Sequence, residues 1–383
     1  MWPFISQVNL IRYLIVWRVN GSFVQLPRCL SVDISQTLGT LIAERLPTPQ
    51  ARPWRKALAA WGKAEELLAG ERSDEAQAAS GPKRSAKTRP RPPQGPREAP
   101  GQIPAPTLDT LWPIEAVLWP YPVKRAYGQG EPILWELKLL GNDADHGLFL
   151  EVILPAMEEA ATTSDERWHR PRTLWGRFDI QAIYAARGPR WEPVVQAGRL
   201  DLKYRATPMQ WAEELSFTRE AGPPLHNLTW LTPYDFKSQT AHLAVQDIAD
   251  RRSDTALTNP KSEMSVTEEH AARNSKSNAP SLSDLLDALM ARMTLFQAGK
   301  RPTPEQVWAL LTPQEQQALR LDCEKGSLRR QKIECAPKGW PGCWIGTQMF
   351  TVIPAGVVPY LELASILHIG RQTHFGCGTF VLS

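Results

Sequence analysis

Hydrophobic positions along this chain fall into short blocks of two different periods. Asn9 to Val19 (NLIRYLIVWRV) is almost continuously apolar, with Arg12 and Arg18 its only charges. Its β-branched and aromatic residues predict a buried strand. A turn follows at Asn20 and Gly21. Ile34, Leu38, Leu41, Ile42 and Leu46 then recur at helical spacing, which predicts a helix over 34–46 capped by Asp33 and stopped by Pro47. A second helix is expected from Trp54 to Gly70. Pro132 to Leu140 predicts a strand, Leu148 to Ala161 a helix, and the alternation over Gly176 to Tyr184 another strand. Beyond them, Leu225 to Leu231 reads as a strand and Ser281 to Gln297 as an amphipathic helix, with Ser283 or Asp284 as cap and Gly299 as stop. A strand at Trp344–Ile353, a helix at Pro359–Leu367 and a glycine-rich loop with a last strand close the chain; the rest of this half reads as strands and turns. Both halves run strand, helix, strand, helix, strand. That order predicts an α+β fold of two similar units with antiparallel sheets backed by helices.

Two segments break the pattern. Arg72 to Pro106 carries prolines and basic residues, with Ile103 alone among the larger aliphatics. Such a segment cannot bury enough apolar area to offset its ordering entropy, so it reads as a disordered basic insertion. A second polar insertion is expected at about 238–280. A boundary near Gly222–Pro224 divides the chain into 1–221 and 222–383.

Composition narrows the class. Of 383 residues, 42% are hydrophobic, which excludes a wholly disordered chain. No apolar run reaches the ~20 residues that span a bilayer, and the N-terminal stretch lacks the features of a signal peptide. A cytoplasmic protein with no membrane contact is expected. The five cysteines are scattered, with neither a disulfide framework nor zinc-ligand spacing, so no metal and no other cofactor is expected. A net charge of +4 permits nucleic-acid binding without demanding it. Fifteen tryptophans suit core filling, with a few left to stack on bases.

No phosphate loop, dinucleotide fingerprint, zinc-protease helix or nucleophile elbow is present. The adjacent pairs Glu158–Glu159 and Glu213–Glu214 would face different ways on a helix and read as solvated surface. The tail Leu367 to Leu382 (LHIGRQTHFGCGTFVL) is richer. Gly370, Gly376 and Gly378 bracket Arg371, Gln372, Thr373, His374 and Phe375. Glycines there let backbone amides approach a phosphate, and Arg371 offers a donor fork. Arg329, Arg330 and Lys332 form a short basic run, read as a second phosphate contact.

Several of these segments resemble one family. Leu231–Thr232–Pro233 at a strand end, the helix Ser281 to Met293, the run Ser327 to Lys332 and the terminal glycine-rich loop are similar to the RAMP superfamily of CRISPR-associated RNA-binding proteins. Within it they most resemble the endoribonucleases that cut CRISPR precursor transcripts (the Cas six family). Gly176–Arg177–Phe178 and the helix at Leu38 to Leu46 resemble features of that family's first unit. The resemblance implies two tandem ferredoxin-like (RRM-like) domains. It also implies metal-independent cleavage of CRISPR repeat RNA to 2′,3′-cyclic phosphate and 5′-hydroxyl ends. That chemistry needs a base, an acid and cations, and histidine suits either proton role. Members draw a histidine from near the first helix, but no histidine here precedes His146, and the position after Gly39 is Thr40. His374, His226, or a tyrosine or lysine are therefore the candidate catalytic groups, with the two histidines first, and the three glycines, Arg371, Gln372, Thr373, Arg329, Arg330 and Lys332 are the candidate RNA contacts. The expected partners are CRISPR repeat RNA and other CRISPR effector subunits. Thr40 leaves open a catalytically silent subunit that binds the guide-RNA repeat within an effector complex.

Overall fold

The computed structural model of the chain describes residues 4–60, 110–121, 124–215, 223–236, 279–296, 303–337 and 340–383. The basic segment at 72–106, nearly all of the polar one at 238–280, the second half of the helix expected to end at Gly70 and the boundary at 221/222 lie outside those residues.

The first sheet is built from β1 (Leu10–Val19), β3 (Ala116–Pro120), β5 (Pro132–Leu140), β6 (Phe178–Arg187), β7 (Arg190–Gln196) and β8 (Arg199–Leu200). Its order is β3-β5-β1-β6-β7-β8, and every pairing is antiparallel. Helix α1 (Leu30–Arg45) follows β1, and α2 (Leu154–Thr162), entered through a wide turn at Phe149–Ile153, follows β5. Short strands β2 (Phe23–Gln25) and β4 (Ala126–Gly128) pair with each other beside the sheet. The second sheet has β9 (Leu225–Trp230), β10 (Leu328–Cys335), β11 (Trp344–Ile353) and β12 (Phe380–Leu382), in the order β10-β11-β9-β12. Helix α3 (Leu282–Met293) follows β9, and α6 (Val358–Leu367) follows β11. Both units thus run β-α-β-β-α-β with the first strand between the third and the fourth, so the chain is an α+β protein of two tandem ferredoxin-like units.

Side-chain alternation explains how the units meet. On β5, Ile133, Trp135, Leu137 and Leu139 lie in the first core, while Leu140 on the opposite face joins the core of the second unit, together with Leu10 and Val117. The same opposite face buries Glu136 and Lys138 completely. Lys138 Nζ donates to the Ile366 carbonyl at 2.7 Å, and Arg292 Nε donates to the Leu367 carbonyl at 3.3 Å. Two cations thus cap the last turn of α6, the negative end of its dipole. Arg12 donates to Glu136 at 2.6 Å and balances the buried carboxylate. The second face of the first sheet is thus partly covered, which is why β1 is apolar apart from Arg12 and Arg18.

Three sequence expectations change. Helix α1 starts a turn earlier than expected, with Cys29 rather than Asp33 at the N-cap position. Asp33 sits in the first turn instead and accepts from Trp175 Nε1 at 3.0 Å, and burial pushes its carboxyl up to about 6. The cap of α3 is Ser281, and Asp284 closes a reciprocal capping box with it. Short strands were expected between α3 and β10, but the chain forms helices α4 (Pro304–Trp308) and α5 (Pro313–Lys325). The latter is polar almost all round and buries only Leu319 and Cys323, so apolar periodicity could not reveal it. Its start was legible in Thr312–Pro313–Gln314–Glu315, a capping box with proline at the first helical position. Thr312→Ala should cost about 1 kcal/mol in urea unfolding, while Thr312→Ser should cost less. Among the described residues, no helix is long and apolar enough to cross a membrane.

Candidate nucleic-acid interface

The loop after α6 does not project outward. His368, Gly370, Gln372, Gly376 and Gly378 all take positive φ, and the chain coils back on itself through a 3₁₀ turn at Thr373–Phe375. A Cβ at Gly370 would lie 2.8 Å from the Asp235 carbonyl oxygen, one at Gly376 2.8 Å from that of Leu118, and one at Gly378 1.9 Å from that of Ile369. The glycines thus allow close approach of the protein's own backbone, where a phosphate was expected. Residues 373–380 are buried throughout.

His374 is the centre of this wedge. Its Nδ1 lies 2.8 Å from the Ala116 carbonyl oxygen and its Nε2 2.6 Å from Ser35 Oγ. A carbonyl only accepts, so Nδ1 carries the proton and Nε2 accepts from the Ser35 hydroxyl. Burial pushes the imidazole down to about 3. Sealed and uncharged, with both nitrogens engaged, it has no atom to offer a phosphate in this conformation. His368 is also buried and donates from Nδ1 to the carbonyls of Gly376 and Cys377, both at 3.1 Å. Ser31 Oγ donates to the Phe375 carbonyl at 2.8 Å. The loop is therefore a peg from the second unit, set between α1 and β3 of the first. Arg371 lies 3.6 Å from Asp235, and Gln372 Oε1 accepts from the Gly342 amide.

The other candidates sit apart from the peg. His226 lies at the start of β9, where Nδ1 donates to the Thr351 carbonyl at 2.8 Å. Arg329, Arg330 and Lys332 are exposed on β10, at the edge of the second sheet, where charge also discourages edge-to-edge pairing. Opposite Arg330 and Lys332 in the register are Met349 and Thr347. Thr40 donates to the Gln36 carbonyl within its own helix at 2.8 Å. His242 and His270 lie outside the described residues.

What the peg does bring together is a cleft of about 500 Å³ between the units. Phe375 and Cys377 form its floor, the end of β9 at Leu231–Pro233 one wall, and Trp119 and Tyr121 the facing wall. The start of α1 opens into it, with Cys29 making no side-chain cap to the helix amides. Three cations line the rim: Arg28, Lys124 and Arg125. Lys124 also pairs with Glu131, outside the cleft, and lies over the Tyr127 ring. Among the described residues lining the cleft there is no acidic side chain and no histidine. The positive end of the α1 dipole and the three cations act in the same direction, toward an anion. Trp119 and Tyr121 pack ring to ring at 4.8 Å, and Trp340, on the turn between β10 and β11, is 42% exposed at the mouth. Burial raises the Cys29 and Cys377 thiols and pushes the Tyr121 phenol up to about 12, so none ionises near neutrality. The arrangement can hold a phosphate chain and stack bases.

Sequence reasoning missed Arg28, Lys124, Arg125 and Trp340. Arg28 lies on a connection far along the chain from the adjacent Lys124 and Arg125, and the three form no motif. Trp340 carried a weak signal: an aromatic inside Lys338–Gly339–Trp340–Pro341–Gly342 cannot belong to a regular strand.

No protein-family model and no curated protein matches the chain. Solved structures do. A Cas6 product complex is 13% identical with a TM-score of 0.41, covering 98% of this chain and 100% of that one. A Thermus thermophilus Cas6 is 12% identical with a TM-score of 0.37, covering 98% of this chain and 99% of its own. A partial Cas6-RT-Cas1–Cas2 complex is 10% identical with a TM-score of 0.45; 98% of this chain aligns to 46% of that one. All three of these solved structures contain a Cas6 protein.

Proposed function

We propose that this chain binds CRISPR repeat RNA in the cleft between its two ferredoxin-like units and cuts it without a metal ion. The observation that carries this reading is the lining of the cleft: three cations, an exposed tryptophan, a helix N-terminus and no acidic side chain among the described residues. In the reaction, a 2′-hydroxyl loses its proton to water and attacks the adjacent phosphorus. The bond to the 5′-oxygen breaks, and that oxygen takes a proton from water, leaving a 2′,3′-cyclic phosphate and a 5′-hydroxyl. Arg28, Lys124 and Arg125 supply the charge that such a phosphorane needs. His374 serves as the pin of the cleft floor rather than as the acid.

A second reading is favoured by one observation. With no imidazole among the described residues of the cleft, the chain binds the repeat and holds it uncut within an effector complex.

One experiment separates the two. Labelled repeat RNA is incubated with excess enzyme in EDTA, and the products are resolved by mass. Cleavage to a cyclic phosphate supports the first reading, and tight binding of intact RNA supports the second. Activity lost in EDTA and restored by magnesium would overturn the proposed chemistry. Absence of both binding and cleavage would remove RNA altogether.

A further inference from the structure

We propose that Trp340 is the stacking platform for one unpaired base of the bound strand, and that it makes the cleft select single-stranded over duplex RNA. The inference rests on the RNA reading above and gives one residue of that lining a specific role.

The backbone beneath Trp340 is held from several sides. Ala336 donates to the Cys343 carbonyl at 2.8 Å across the β10–β11 turn, and Trp340 donates from its amide to the Pro337 carbonyl at 3.0 Å. Cys343 donates to the Tyr234 carbonyl at 3.0 Å. Gly342 takes φ +82, and a Cβ there would meet Pro233 at 2.8 Å, so the turn lies directly on the end of β9. Its amide also reaches Gln372 on the peg. Residues 340–343 are thus anchored on the end of β9 and on the peg, yet Trp340 is 42% exposed. A rigid aromatic at the mouth of a cationic cleft loses little conformational entropy when a second ring stacks on it.

The other aromatics of the cleft are committed. Trp119 carries the buried Lys138 ammonium 5.3 Å above its ring and packs against the second core. The Tyr121 hydroxyl reaches Glu136 at 3.5 Å. They form a wall, and among the described aromatics of the cleft Trp340 is the most exposed.

Charge chooses the occupant. Three cations and no acid along the described lining favour a polyanion that also carries flat rings, which describes a nucleic-acid single strand. A duplex keeps its base faces inside its own stack and cannot present one to an indole.

The test uses the full chain with Trp340→Ala and Trp340→Phe. The probes are single-stranded repeat RNA carrying 2-aminopurine at successive positions, the same sequence annealed to its complement, and an acidic peptide. Wild type should quench the fluorophore at one position. Trp340→Ala should abolish that quench and weaken single-strand binding by about tenfold or more, within the range set by aromatic stacking, with the salt slope unchanged because no phosphate contact is lost. Trp340→Phe should retain most of both, and duplex binding should not change. An exposed side chain can be replaced with little effect on folding, and equal thermal midpoints verify this. Single-strand affinity unchanged in Trp340→Ala would overturn the platform while leaving the RNA reading intact. Failure of wild type to bind any RNA at low salt would overturn both. Tight binding of the acidic peptide, lost in Trp340→Ala, would make the cleft a protein-docking site instead.

Discussion

Alanine at Arg28, Lys124 and Arg125 together should weaken the binding of single-stranded repeat RNA by about a hundredfold at 0.1 M salt. Each phosphate neutralised on a single strand contributes about −0.7 to the slope of log affinity against log salt, so losing three contacts flattens the slope by about 2. Extrapolated from 1 M salt, where such attraction is screened out, that change is about two decades of affinity at 0.1 M. Fluorescence anisotropy over a salt series measures both quantities at once. The parallel triple at Arg329, Arg330 and Lys332 is the informative control, because those side chains line the edge strand β10 and not the cleft. A small effect there confines the strand to the cleft, whereas an equal loss extends its path across β10. An unchanged slope in the cleft triple would remove the cleft as the interface.

The second large effect concerns acid. Free in an unfolded chain, the His374 imidazole titrates near 6.5; in the peg, burial holds it near 3. Between those values the unfolded chain binds the additional proton. Stability therefore rises with pH across that window and is lost as pH falls through it. At pH 5 the loss from this residue is about 2 kcal/mol relative to neutral solution. His368 lies well below its usual value for the same reason, burial first and the Lys138 charge next, and acts in the same direction. His374→Gln keeps a neutral donor and acceptor, so its urea midpoint should change less than wild type's between pH 7.5 and pH 5. His374→Ala should lose about 3 kcal/mol at pH 7.5, because it orphans the buried Ser35 hydroxyl and the Ala116 carbonyl and leaves a void. Equal midpoints for Ala and wild type would show that the peg is not seated as described.

Much of the architecture was legible because its signals are local. Continuous apolar residues marked β1, alternation marked β6, and an amphipathic stripe marked α3. Each pattern is set by neighbours within one element. Helix α5 was missed because a helix that buries little carries no stripe, and the start of α1 was missed because Cys29 is not a conventional cap. The site was harder for a geometric reason. Glycines around His374 indicate that backbone comes close to something, but sequence does not say to what. Here the close neighbours are the carbonyls of Leu118, Asp235 and Ile369. Arg28 joins Lys124 and Arg125 only through tertiary packing, so no spacing rule could link them.

The peg has a consequence for how the molecule comes to exist. Ser31 meets Phe375 across 344 positions of chain, and Ser35 meets His374 across 339. Contacts of that separation must wait for a large loop to close, and they form late on any folding route. During synthesis, the first unit can collapse around β1 and α1 long before the residues that finish the cleft leave the ribosome. A nascent chain therefore presents Arg28 and the start of α1 with no floor beneath them. The seat is completed only once the loop after α6 has been made, so chains arrested shortly before Phe375 lack the floor on which the cleft is built.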